Sequence, residues 1–315
     1  MLLNARAWDL VDAVLDAALH LRISSELLEN GAEVIDFGVK STGSLEAGLR
    51  LAEICMSGLA TVNLQQDKLG TYSWPKVTVW TDHPLEACLY SQYAGWAVQQ
   101  DKYFAMCSGP VRASAAFEPL FEKLPYHEKF YCAVGVLETA KLPPEAVVEI
   151  MAQKARIEPR NLRLLVARTA SQAGNIQIVA RSVETCMHKL YELGFDVRNV
   201  VSGIGSAPLP PVAKDDLTAI GRTNDAILYG GSVTLMVAGT DEAIQNIGAQ
   251  VPSSSSAMYG RPFQEIFESV GHDFYKIDPL VFSPAQVIFH NLTTGNVFAY
   301  GELNEPVVLK SFGLT

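Results

Sequence analysis

Segments with the three-to-four-residue repeat of a helix are interleaved along this chain with segments that alternate, or stay apolar, like strands. The two kinds follow no strict order. Regular alternation would predict a doubly wound parallel sheet, and helical repeats alone would predict a bundle. Irregular mixing predicts an α+β fold with irregular α/β layers. Helices are expected over residues 5–22, 45–56, 84–93, 144–156 and 176–193. Strands are expected over 32–39, 59–64, 76–81, 131–137, 162–168 and 233–238, with a hairpin of 286–291 and 297–300 around Thr294 and Gly295. In the first helix Trp8, Val11, Leu15 and Ala18 form the apolar face, and Asp9, Asp12 and Asp16 take the other side. Ser44 is the expected N-cap of the second, with Gly58 just past its end. Gly203, Ile204 and Gly205 read as a turn, because Pro208 stands where a dinucleotide fingerprint needs its third glycine.

The longest apolar run, residues 130–137, has the length of a buried strand. It falls far short of the ~18 residues that span a bilayer. The acidic residues of the first helix would interrupt the apolar core of a signal peptide. A cytoplasmic protein is expected. With 315 residues, 49% of them apolar, the chain can bury one large core or two ordinary ones. Breaks near 122–129, 208–211 and 253–256 do not choose a boundary by themselves. Two α/β domains are expected, residues 1–165 and 166–315, with discontinuity allowed. The net charge of -10 argues against nucleic acid or an anionic membrane as partner. The five cysteines have no C-x-x-C spacing and read as reduced thiols. The six histidines show no zinc-site spacing, and Walker and G-x-S-x-G motifs are absent. The remaining chemistry is that of carboxylates and basic groups with no metal and no cofactor, or binding alone.

Three groups of residues fit such chemistry. On a continuous helix over 176–193, Arg181, Glu184 and His188 fall on the side opposite the apolar stripe of Ile176, Val179, Val183, Met187 and Leu190. The alternative is an exposed ion pair, worth only ~0.2–1 kcal/mol. The small polar residues of 169–174 just before it suit a pocket wall. Ser108 or Gly109 can cap a helix starting at Pro110, and the free amides there with Arg112 make an anion site. An ordinary capped helix is the alternative. Arg222, Thr223, Asn224 and Asp225 crowd a strand-like run between Gly221 and Gly231, and Lys276 lies in a similar, weaker block at 273–278. Surface loops are the alternative for both.

Together these blocks resemble the methenyltetrahydromethanopterin cyclohydrolase family. The resemblance runs through Glu29, Asn30 and Gly31, through Ile35 and Asp36, and through Glu46, Ala47 and Gly48. It continues through Gly95 and Trp96, Tyr103 to Met106, Ser108 to Pro110, Ala180 and Arg181 with Glu184, Arg222 to Asp225, Tyr229 to Gly231, and Asp273 to Asp278. The segments at 91–96 and 203–208 look closest to members from methylotrophic bacteria. Cys107 departs from the family's glycine. The resemblance implies a two-domain protein with a pocket between the domains, assembled as a homotrimer without cofactor. It implies hydrolysis of a pterin substrate, 5,10-methenyl-tetrahydromethanopterin, to the 5-formyl compound, on the route of formaldehyde oxidation towards formate. Arg181 and Glu184 match the family's catalytic pair. The distal phosphate of the substrate gives residues 108–112 an anion to receive. Two rivals remain. One is a non-catalytic pterin-binding paralogue. The other is a cyclohydrolase for a folate carrier, which resembles this chain less because Tyr275 and Lys276 are adjacent and not spaced along a helix.

Overall fold

A computed structural model describes residues 1–273 and 276–314. In chain order, helices α1 (Leu3–Asp16) and α2 (Ala18–Leu21) lead to strands β1 (Ser24–Leu27) and β2 (Glu33–Asp36) and helix α3 (Leu45–Cys55). Strands β3 (Ala60–Leu69) and β4 (Tyr72–Thr81) precede a π-helical segment, Leu85–Gln92. Next come β5 (Trp96–Gln100), β6 (Tyr103–Ser108), α4 (Val111–Ala115), α5 (Pro119–Lys123), β7 (Ala133–Glu138), α6 (Glu145–Ala155), β8 (Leu162–Ala167) and α7 (Gln172–Val179). The chain continues with α8 (Ser182–Glu192), β9 (Val200–Pro208), α9 (Asp216–Gly230), β10 (Ser232–Val237), α10 (Asp241–Gly248) and α11 (Phe263–Ser269). It closes with β11 (Gln286–Asn291), β12 (Val297–Gly301) and α12 (Glu305–Phe312). Helices with two mixed sheets make the fold α+β, the class expected.

The described residues form two compact units, each drawn from two stretches. One is 1–60 with 86–177, the other 61–85 with 178–315. The position 165/166 falls inside β8, a central strand of the first unit. That unit holds a sheet in the order β1-β2-β8-β7-β6-β5, with β2, β8 and β7 parallel. Alternate residues of the parallel strands enter two cores. Ile35, Val134, Val136 and Leu165 pack with Val11, Leu51 and Ile54 of α1 and α3. Val34, Leu137, Leu164 and Val166 pack with Val147, Val148 and Met151 of α6. Burial on both faces is why β7 and β8 read as continuous apolar runs.

The second unit holds a sheet in the order β12-β11-β10-β9-β4-β3. Its strands alternate between buried and more exposed residues, so one face packs and the other is open. Trp80 pairs with Ile204, Ile204 with Thr234, and Thr234 with Ile288, a row on the open face.

Four expectations change. The 5–22 helix is interrupted at Ala17, between α1 and α2. The long 176–193 helix breaks at Ala180 and Arg181, between α7 and α8. Gly203 and Gly205 lie in strand β9 and form no turn. The run from Gly221 to Gly230 is helix α9 and not a strand-like wall. Asp215 caps it by accepting from the Thr218 amide, and Thr223 and Asn224 bond back to its own turns.

Candidate active site

The break between α7 and α8 places Arg181 at the N-cap of α8 and Glu184 in its first turn, where a carboxylate is favoured by the helix dipole. Arg181 Nη1 stands 3.7 Å from Glu184 Oε2, and the two side chains are only 9% and 6% exposed. The exposed-salt-bridge alternative therefore does not describe this pair. Strand β9 sets where the turn sits. A Cβ on Gly205 would come within 2.4 Å of Ser182 Oγ, and one on Gly203 within 2.9 Å of Val183 Cγ1. Those glycines let the first turn of α8 lie directly on the strand, a close-approach role.

His188 continues the same helix face. It is buried, and its Nε2 lies 3.4 Å from Glu192 Oε1. Lys189 was not anticipated from sequence. Its side chain is almost fully buried, and Nζ donates to the Leu280 carbonyl and to Ser255 Oγ. Burial pushes its pKa down to about 8, opposed by the charge of Asp278. Lysine is rarely buried without a carboxylate partner, and nothing in residues 186–190 marks this one in the sequence.

Arg112 requires a correction. It is fully buried, and Nε and Nη2 donate to the two carboxylate oxygens of Glu118 at 2.8 and 2.7 Å. Nη1 donates to the carbonyls of Leu89 and Ser91, and the guanidinium lies over the Tyr93 ring. A guanidinium has five N–H donors, and four of these bonds are already made inside the fold. The Gly109 amide donates to Ser91, Ser108 is buried, and α4 is only five residues long. The anion site expected at 108–112 does not form around Arg112; the carboxylate that it binds belongs to its own chain.

The block on α9 is also turned inward. The Asp225 carboxylate accepts from the Phe263 amide at 2.8 Å and from Ser311 Oγ at 2.7 Å. Arg222 donates to the Ser311 and Pro211 carbonyls. Thr223 and Asn224 donate to carbonyls one turn back. These residues clamp α9 to α11 and α12, where a pocket wall was expected. Burial raises the Asp225 pKa to about 6, against the two hydrogen bonds that lower it. Lys276 is exposed, 3.5 Å from Asp273, and Tyr275 lies outside the described residues.

Residues 169–174 are likewise occupied. Thr169 donates to Glu138, and Ser171 Oγ donates to the Arg168 carbonyl and accepts from the Gly174 amide as α7 begins. Cys107 is buried, and desolvation pushes its thiol well above the ordinary range, the setting of a structural cysteine. Among the described residues no three His, Cys, Asp or Glu side chains are placed to hold a metal ion, and no helix is long and apolar enough to cross a membrane. Of the three groups marked in the sequence, the one on α8 brings an arginine, a glutamate and a histidine onto one buried helix face. It sets a carboxylate and a guanidinium side by side at a helix N-terminus.

Comparison with known proteins shows the family of the chain. The model of a family described as Cyclohydrolase (MCH) matches residues 2–312. A protein of Methylobacillus flagellatus named methenyltetrahydromethanopterin cyclohydrolase is 46% identical over 305 residues, covering 96% of this chain and 93% of its own. One of the same name from Rhodopirellula baltica is 46% identical over 317 residues, 99% and 95% of the two chains. One from Methanocella arvoryzae is 43% identical over 314 residues, 99% and 98%. On this match along nearly its whole length, the chain belongs to the MCH cyclohydrolase family.

Proposed function

We propose that this protein catalyses the reversible addition of water to 5,10-methenyl-tetrahydromethanopterin, giving the 5-formyl compound and a proton, in the one-carbon metabolism of formaldehyde oxidation. The observation that carries the reading is the buried Arg181–Glu184 pair at the head of α8, in a chain of this family. The bridging carbon of the substrate belongs to a cationic amidinium and is already electrophilic. What the protein must supply is a base for the attacking water and a position for it. Glu184 accepts a proton from water as the C–O bond forms. The amidinium becomes a neutral carbinolamine. Its C–N10 bond then breaks as the hydroxyl proton passes to N10, and one proton is left over. Arg181 fixes the direction of the Glu184 carboxylate. Lys276, exposed, is available to an acidic group of the carrier. The active form in this reading is a cytoplasmic homotrimer.

The test is turnover of the purified protein on the methenyl forms of two carriers, followed by loss of methenyl absorbance. Rapid turnover of the methanopterin derivative with little of the folate derivative is expected. Binding without turnover would make the chain a pterin-binding paralogue, and a preference for folate would overturn the carrier assignment.

A further inference from the structure

The Glu184 side chain is only 6% exposed, so a proton released there has a distance to cover to solvent. Helix α8 carries ionisable side chains at one-turn spacing beyond it. His188 is four residues after Glu184, and Glu192 is four after His188. Side chains of a helix lean over the turn on their N-terminal side, so residues i+4 meet residues i. That puts His188 over the turn that holds Glu184, and Glu192 over that of His188. The second step is seen directly, with His188 Nε2 3.4 Å from Glu192 Oε1. Exposure rises along the ladder, from side chains 6% exposed at Glu184 and 8% at His188 to 32% at Glu192. Tyr191 lies beside the imidazole, with ring centroids 6.4 Å apart and planes 27° apart. Lys189, the other cation of this stretch, donates instead to Leu280 and Ser255.

We infer that His188 and Glu192 form a proton relay that carries the proton from Glu184 to solvent along α8. The inference rests on the reading of Glu184 as the base. An imidazole can take a proton on one nitrogen while releasing one from the other. Water loses a proton to Glu184 as its oxygen bonds to the substrate carbon. The Glu184 proton passes to one ring nitrogen, the proton on Nε2 passes to Glu192, and Glu192 releases it to water or buffer. One proton enters and one leaves; the imidazole ends with its proton on the nitrogen that took it up, and a ring flip or proton exchange with water restores the starting tautomer before the next turnover. His188 touches no reacting atom and is a relay residue.

The experiment measures turnover at fixed pH while buffer concentration is varied, with small imidazole buffers at the upper end. Wild-type kcat should be flat with buffer. His188→Gln at low buffer should lose kcat on the order of tenfold or more, within the reach of a lost proton-transfer group. Its KM should be little changed, and buffer should restore kcat. Glu192→Gln, a change near the surface that leaves the core intact, should show the same buffer dependence more weakly, and it decides the matter if His188→Gln does not fold. Low-buffer rates equal to wild type, or losses that buffer does not restore, overturn the relay. Glu184→Gln separates the two readings. If it is inactive at every buffer concentration while His188→Gln and Glu192→Gln match wild type, the base stands and the relay falls. If Glu184→Gln is itself active, the base reading falls and takes the relay with it.

Discussion

Two arginine–glutamate pairs in this protein show how differently the same residue types behave. Arg112 and Glu118 are bidentate, wholly buried and surrounded by aromatic rings, and their hydrogen-bonding capacity is nearly exhausted within the fold. Arg181 and Glu184 meet through a longer contact, 3.7 Å, at the start of a helix. Geometry of the first kind holds structure together, because removing one partner leaves a buried charge uncompensated. Geometry of the second kind is a looser, single contact, and the proposed function makes its carboxylate the base. Glu184→Gln keeps the size and removes the base. Its kcat should fall by about 10²–10⁴-fold, or roughly 3–5 kcal/mol of barrier, and the melting temperature should fall as well, because Arg181 keeps its charge in a buried setting. Following methenyl absorbance and thermal unfolding on one preparation checks both. A variant retaining more than about a tenth of wild-type kcat, well above that range, would show that Glu184 is not the base. The residue types and spacing of this pair were legible in the sequence. The fate of Arg112 was not, since its partner at Glu118 and its carbonyl acceptors at Leu89 and Ser91 meet it only through tertiary folding.

At the scale of elements, α8 and α9 carry the lesson in opposite directions. The α8 segment was read as the end of one long helix, and its apolar stripe is real, but the chain breaks at Ala180 and Arg181. That break places Glu184 in a first turn and not in mid-helix. Seating this turn requires Gly203 and Gly205, which local sequence reading took for a turn. The polar crowding of residues 221–231 predicts a strand-like pocket wall, with a surface loop as the alternative. Helical geometry instead lets Thr223 and Asn224 bond to their own turns and turns Asp225 towards α11 and α12. Asp225 gives this clamp a pH dependence. Its folded pKa, about 6, is raised by burial above the ordinary 3.8. Between those values the folded state holds a proton that the unfolded state releases. The stabilisation is thus complete below about pH 4 and lost as pH rises through 6, on the order of 3 kcal/mol for a shift of this size. Asp225→Asn removes that titration. Urea unfolding of both proteins from pH 4 to 7 should show the variant gaining on wild type as pH rises; a constant difference would contradict the assignment.

For the whole molecule, the expectation of a homotrimer is testable directly. Light scattering at micromolar concentration should give about three times the 34.2 kDa chain mass, and a monomer mass would remove the trimer from the proposal. The open face of the second sheet, with Trp80 and Ile204 exposed side by side, offers apolar area for association in a chain of net charge -10. By itself the sequence determined the α+β class, most of the element order, the cap at Ser44 and the Arg181–Glu184 spacing. Each of these follows from local periodicity, capping and short-range spacing, which a linear chain displays. Only the tertiary structure decided that each unit is assembled from two separate stretches, that Arg112 and Asp225 are satisfied from within, and that Lys189 is buried. Those outcomes depend on partners far apart in sequence, and a polar side chain carries no local mark of whether its partner will be water, a ligand or its own backbone.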